Sequence, residues 1–240
     1  MAPPGPSVRR CAKFWALRTD CKARPARRGL EELPMTLIDL THPLSNRLPV
    51  YWPWHPKTDL SPCSSYEENK CLVHRITVGT HTGTHIDAPS HFYAGAKNID
   101  ELPLDLWVSE AQVVDFTGKG EREEIGREEM EARGIEKGVG VIVRTGWGRH
   151  HGREDYYKTY PPVSAEAGAY LLERGVPYLA ADTPFSWAVH EMFLEAGKPL
   201  ITNLNNLDRI TRPRVRLYAF PLLLEGVDGA PARVIAEETD

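Results

Sequence analysis

Cysteine is scarce in this sequence. Four stand among 240 residues, at positions 11, 21, 63 and 71, and no two form a C-x-x-C pair. That excludes a disulfide framework and a zinc ribbon, and makes a reducing cytoplasm the simplest compartment. Long apolar runs are missing as well. No stretch approaches the roughly 20 residues that a membrane-spanning helix needs, so no membrane partner is expected. There is no excess of positive charge. A formal net charge of −4 and a pI near 6.2 leave no overall basic footprint for nucleic acid. Internal repeats and an internal linker are also absent.

What is present is ordinary for a soluble globular chain: 41% hydrophobic and 26% charged residues. A chain of this length buries roughly 70% of its unfolded surface, so its core needs neither metal nor disulfide. Residues 1–34 stand apart. They hold eight Lys or Arg against three Asp or Glu and are rich in Pro and Ala. They read as a disordered basic tail, or as an over-extended start, because Met35 opens directly onto the patterned part of the chain. Residues 35–240 are expected to form one domain.

From residue 36 onward short apolar runs alternate with Gly and Pro. "TLIDL", "CLVHRITVG", "AQVVDF", "GVGVIVRTG", "PYLAA", "RLYAFPLLLEG" and "PARVIA" read as strands by length and β-branched content, with "CLVHRITVG" running into the histidine-rich stretch that follows it. "GREEMEARG", "SAEAGAYLLERG" (Ser164 as N-cap, Gly175 just past the end) and "AVHEMFLEAG" (closed by Gly197) read as helices. The expectation is a single α/β domain with a mixed sheet and more strand than helix.

One segment is unusual. "HTGTHIDAPSH" places three of the nine histidines and an aspartate within eleven positions: His81, His85, Asp87 and His91. On an α-helix Asp87 would lie about 240° around from His81, and Gly83 and Pro89 oppose a helix in any case. On a strand the odd positions share a face, yet a straight strand would hold the α-carbons of His81 and His85 about 13 Å apart. The segment should therefore be extended but bent near Thr82-Gly83-Thr84, with Gly83 also leaving room between the two imidazoles. Two neutral imidazoles and a carboxylate then suit a divalent ion such as zinc, with manganese or iron as other candidates. Three protein ligands leave positions open for water and substrate. Pro89 should end the strand and fix His91 nearby, where it can handle a proton without being a ligand.

"HTGTHIDAPSHF" resembles the signature of the cyclase family of metal-dependent hydrolases, which includes bacterial kynurenine formamidases and isatin hydrolases. "TLIDLTHPLS", "VIVRTGW", "YPPVSAEAGAYLLERGVPYLAADTPF", "NLNNLD" and "FPLLLEGVDGAPARVIA" look like that family's other segments, in the same order, so the likeness spans about residues 36–236. It implies a swivelling β/β/α-type fold, a homodimer, and hydrolysis of a small amide, either an aryl formamide or a cyclic amide. It implies that His81, His85 and Asp87 hold the first metal, that Asp87 can bridge to a second, that His190 binds that second ion, and that His91 is the catalytic proton donor and acceptor. Trp52 falls where formamidases carry a substrate-contacting tryptophan, and Trp54 would extend the aromatic face.

The match departs at two places. Formamidases carry a bridging glutamate twelve residues after the helix histidine; here that position is Thr202 in "PLITNL". A hydroxyl is a poor, uncharged ligand, so one tightly held ion, Zn or Mn, is expected, with the second weak or absent. "VYWPWHP" also replaces a "PGDP"-like turn, which should reshape the pocket wall and with it the substrate, while Thr202 tips the expectation from a strict kynurenine formamidase towards a cyclic-imide or isatin-type hydrolase. The expected chemistry is attack of a metal-activated water on the amide carbon, with His91 passing the proton to the leaving nitrogen. Two other readings fit the same residues: a lyase or dehydratase using the ion as Lewis acid, and a non-catalytic metal-binding protein. The remaining candidates have plainer readings. His42 is expected to be a structural hydrogen-bonder, His74 a packed or surface residue, and His150-His151 a solvated loop. Trp107 and Trp187 are read as core. Asp182 caps a turn or supports the site, and Asn203, Asn205 and Asn206 are turn residues.

Overall fold

A computed structural model describes residues 36–50 and 53–238. The basic tail (1–34) and Trp52 lie outside the described residues. Ten strands are found: β1 (Thr36–Asp39), β2 (Asp59–Pro62), β3 (His74–Thr77), β4 (His85–Asp87), β5 (Val108–Asp115), β6 (Gly140–Arg144), β7 (Leu179–Ala181), β8 (Leu200–Thr202), β9 (Arg214–Pro221) and β10 (Gly229–Glu238). The helices are fewer: α1 (Tyr66–Asn69), α2 (Arg127–Glu131), α3 (Tyr156–Thr159), α4 (Ala165–Glu173) and α5 (Trp187–Glu195). None of the described helices is long and apolar enough to cross a membrane.

The main sheet closes on itself. Its order is β10-β4-β8-β7-β6-β5-β9, and β9 pairs back onto β10, while β1 adds to the outer part of β10. Strands β5 to β8 run parallel to one another, and the remaining pairs are antiparallel. The mixed sheet, with more strand than helix, is the one expected. Closure is the added feature.

Side chains alternate across this sheet with the period of two that a pleated strand imposes. Ile86, Ile142, Ala180, Ile201 and Val234 point to a core inside the barrel. Val141, Val143, Leu179, Ala181 and Leu200 point the other way, into a second core against Ala167, Leu171, Val189 and Phe193 of α4 and α5. With both faces buried, the central strands read as continuous apolar runs. This alternation places the site. Ile86 and Ile201 face the barrel interior, so His85, Asp87 and Thr202 face outward, towards α5.

Helix α4 starts as expected, and α5 proves to start in the same way. The Ser164 side chain accepts from the Ala167 amide at the start of α4, and Ser186 does the same for Val189 at α5. Gly175 and Gly197 follow the helices at φ near +70°. One strand departs from expectation. "CLVHRITVG" does not run into the histidine cluster; β3 pairs only with β2 in a separate two-stranded sheet, and His74 is exposed.

Candidate active site

The bend before β4 is made by Gly83 at φ +67°. Residues 81–84 turn, and extended pairing begins only at His85. The glycine is needed for a different contact from the one anticipated: a Cβ there would meet Leu44 at 2.8 Å, not the imidazoles. Strand β4 ends at Asp87, and a single 3₁₀ turn, Pro89–His91, carries His91 back over it. Strand β8 lies beside β4 with Thr202 opposite His85. Strand β10 flanks the other side, with Gly229 opposite Asp87. A Cβ on Gly229 would sit 2.6 Å from the Ile86 carbonyl and 2.8 Å from His81 Cε1, so only glycine lets His81 lie across β10.

The side chains converge on Asp87, which is 1% exposed. Its Oδ1 lies 2.6 Å from His81 Nδ1 and 3.2 Å from His85 Nε2. The other nitrogen of His85 donates to the Gly83 carbonyl at 2.7 Å, which fixes the ring. From α5, His190 donates through Nδ1 to the Ser186 carbonyl at 3.0 Å and turns Nε2 to within 3.3 Å of Asp87 Oδ2. That approach is not aligned for a hydrogen bond, and Oδ2 is buried without a donor. Burial favours the neutral acid at Asp87, but the surrounding imidazoles outweigh it and hold the carboxyl well below the usual range. Thr202 Oγ1 stands 3.0 and 3.1 Å from the two nitrogens of His85.

A further carboxylate joins the cluster. Asp228 Oδ2 accepts from His81 Nε2 at 2.8 Å and from His91 Nδ1 at 2.9 Å. The rings of His81 and His91 are stacked at 3.8 Å, tilted by 33°. Burial opposes a charged His81, but its bonds to Asp228 and Asp87 prevail and raise it to about 9. Asp228 was not singled out from sequence. It lies in the family-like segment "FPLLLEGVDGAPARVIA", but there its Asp-Gly pair reads as a turn.

These groups line one cleft of about 500 Å³. The structure thus brings together His81, His85, Asp87, His91, His190 and Thr202, with Trp54 at the rim, 72% exposed. Phe92, Phe185, Tyr157, Tyr160 and Trp187 complete its aromatic walls. Trp187 was expected in the core and is instead 65% exposed, while Trp107 is buried as expected. His151 is not a solvated loop residue: its ring stacks on His42 at 3.9 Å. Asn203 is more than a turn residue. It is buried at φ +57°, donates to the Gly83 carbonyl, and accepts from Tyr156. Asp182 is buried too, accepting from the amide and hydroxyl of Thr145.

The donor set fits a divalent cation. His81, His85 and Asp87 present ligand atoms within 4.8 Å of one another, and the orphaned Asp87 Oδ2 is an anionic acceptor shut off from water. Mixed imidazole and carboxylate donors suit zinc or manganese.

Residues 38–187 match the family model described as "Putative cyclase". The chain belongs to that family. Among curated relatives, a kynurenine formamidase from Bacillus cereus is 30% identical over 207 residues, covering 82% of this chain and 95% of its own. The kynurenine formamidase of Bacillus anthracis is 28% identical over the same share of both chains. Among solved structures, isatin hydrolase A from Labrenzia aggregata superposes with a TM-score of 0.78 at 25% identity, over 86% of this chain and 94% of that one. A "potential metal-dependent hydrolase with cyclase activity" superposes with a TM-score of 0.72 at 26% identity, over 86% and 99%. The cyclase-family fold therefore accounts for the whole described domain, and the histidine cluster lies inside the matched segment.

Proposed function

We propose that this cyclase-family chain is a metal-dependent hydrolase of an amide C–N bond in an aryl formamide or a cyclic amide. The observation that carries the reading is the convergence of His81, His85 and Asp87, one buried carboxylate oxygen unsatisfied, inside an aromatic-walled cleft. The relatives that act on small amides share the fold over nearly its full length.

His81, His85 and Asp87 hold the ion, Zn or Mn, and its chemistry there is to polarise the amide carbonyl and acidify a water. One ion per chain is proposed, because Thr202 offers no charge to balance a second. His190, fixed through Nδ1, keeps Nε2 on Asp87. His91 donates to Asp228 through Nδ1, which leaves Nε2 to carry the proton to the leaving nitrogen. The walls formed by Trp54, Trp187, Phe92 and Phe185 suit an aryl or fused-ring substrate, and Trp52 is proposed to add to them. We further infer a cytoplasmic homodimer. Cys63 and Cys71 are exposed free thiols, which persist in a reducing compartment, and Leu222, Leu223 and Leu224 form an exposed apolar run suited to a partner copy.

The test combines metal content with turnover of isatin and N-formylkynurenine. About one divalent ion per chain and carboxylate release from either amide is the expected result. His91→Ala should keep its metal and lose roughly 10²–10⁴-fold in kcat. A chain that takes up no divalent ion on titration overturns the reading.

A further inference from the structure

We propose that Asp228 is a positioning residue whose single carboxylate oxygen orients both the metal ligand His81 and the proton carrier His91. The inference rests on reading His81, His85 and Asp87 as the metal site. It goes further by assigning a role to a residue 147 positions from His81 to which the sequence alone gave none.

The geometry is specific. Both imidazoles point a nitrogen at the same oxygen, at 2.8 and 2.9 Å. An ionised carboxylate only accepts, so both rings donate to it. On His81, Nε2 donates to Asp228, and Nδ1 donates to Asp87 Oδ1 in the ion-free cluster, so Nδ1 is the nitrogen that would give up its proton to turn to an ion. On His91 the proton is at Nδ1, which leaves Nε2 as the other ring nitrogen. With an ion held at Nδ1 of His81, one anion would thus fix the protonated nitrogen of both rings, the device by which a carboxylate behind a ligating histidine orients it and raises its basicity.

The backbone holds Asp228 in place independently of the histidines. Its carbonyl accepts from the Ala88 amide at 2.9 Å, and the next residue, Gly229, pairs with Asp87. The same ladder that carries the metal carboxylate carries Asp228. Gly229 keeps clear the space through which His81 reaches it. The side chain is 39% exposed, so it is not a core group needed for packing.

The competing account is that His81, His91 and Asp228 are themselves ligands of an ion, since their donor atoms also lie within 4.8 Å of one another. The experiment separates the two. Zinc alone is titrated into the full-length chain and into Asp228→Asn against a chromophoric chelator, and kcat and KM are measured on the amide that the wild type turns over. The positioning role predicts an unchanged number of zinc ions, affinity weakened roughly 10–100-fold, and kcat lowered at saturating zinc with KM nearly constant. It also predicts that at saturating zinc Asp228→Asn adds little to the kcat loss of His91→Gln, because its effect on proton transfer runs through the His91 ring, while the weakened zinc affinity, which runs through His81, persists in the double variant. Unchanged affinity in Asp228→Asn overturns the inference and leaves the metal site standing. Loss of one ion per chain overturns it in favour of a ligand role. Failure of the wild type to bind zinc removes the metal reading and this inference together. If Asp228→Asn does not fold, Asp228→Glu serves: affinity and kcat intermediate between wild type and zero support positioning, and wild-type values oppose it.

Discussion

Thr202 stands where the resemblance to formamidases would place a bridging glutamate. It is buried, directly across the ladder from His85, with its hydroxyl close to both nitrogens of that ring. A carboxylate at this position would reach the same space with a negative charge and two more lone pairs. Thr202→Glu should therefore raise the metal content from about one ion per chain towards two, measured by elemental mass spectrometry after gentle purification. Without the second ion the new carboxylate would be a buried anion close to Asp87, and such a charge is strongly unfavourable unless compensated. Chelator treatment should accordingly lower the melting temperature of Thr202→Glu more than that of the wild type. One ion per chain and equal sensitivity to chelator would mean that position 202 does not control the second site.

Among the elements, β10 matters most to the site and illustrates what the sequence hides. Gly229→Ala places a methyl group against the Ile86 carbonyl and the His81 ring, two neighbours that cannot both yield. A cost of roughly 1–3 kcal/mol is expected from overpacking, read as a lower urea midpoint, together with weaker zinc binding as His81 is displaced. Unchanged zinc affinity at reduced stability would show that His81 is not held by this strand. The histidine cluster and both long helices were legible because their signals are local: spacing within eleven residues, a serine cap, a closing glycine. Strand β8 was not, since Leu200-Ile201-Thr202 is too short to show a period. Closure of the sheet was invisible because it depends on β10 pairing with β4 and β9, and no local pattern encodes a partner far along the chain. Asp228 escaped for the same reason. Its Asp-Gly pair looks like any turn until β10 is laid beside β4. Trp187 was misread because an aromatic at helical spacing looks the same whether it faces a core or a cleft.

At the scale of the molecule, the domain carries a second titratable pair, behind His85. His42 follows β1 and donates its amide to Thr84; His151 follows the turn at Trp147–His150; their rings stack at 3.9 Å. Burial pushes His42 down to about 4, and burial together with repulsion from His42 and His85 pushes His151 down to about 3. Both rings are therefore folded in neutral. In the unfolded chain they bind protons near pH 6.5. Between that value and about 4 the unfolded state holds more protons than the native one, so stability rises with pH across this window and is lost as pH falls. The slope is at most about 1.4 kcal/mol per pH unit for each ring, and less once the two rings compete. The depressed carboxylates Asp87 and Asp228 act in the same direction, beginning near the acid end of this window and mostly below it. Urea unfolding of the metal-stripped protein should show its stability falling steadily from pH 6.5 to 4, with His151→Phe, which keeps the stack, showing a shallower fall. An identical slope in that variant would mean that the acid sensitivity of this fold arises elsewhere than in the stacked histidines.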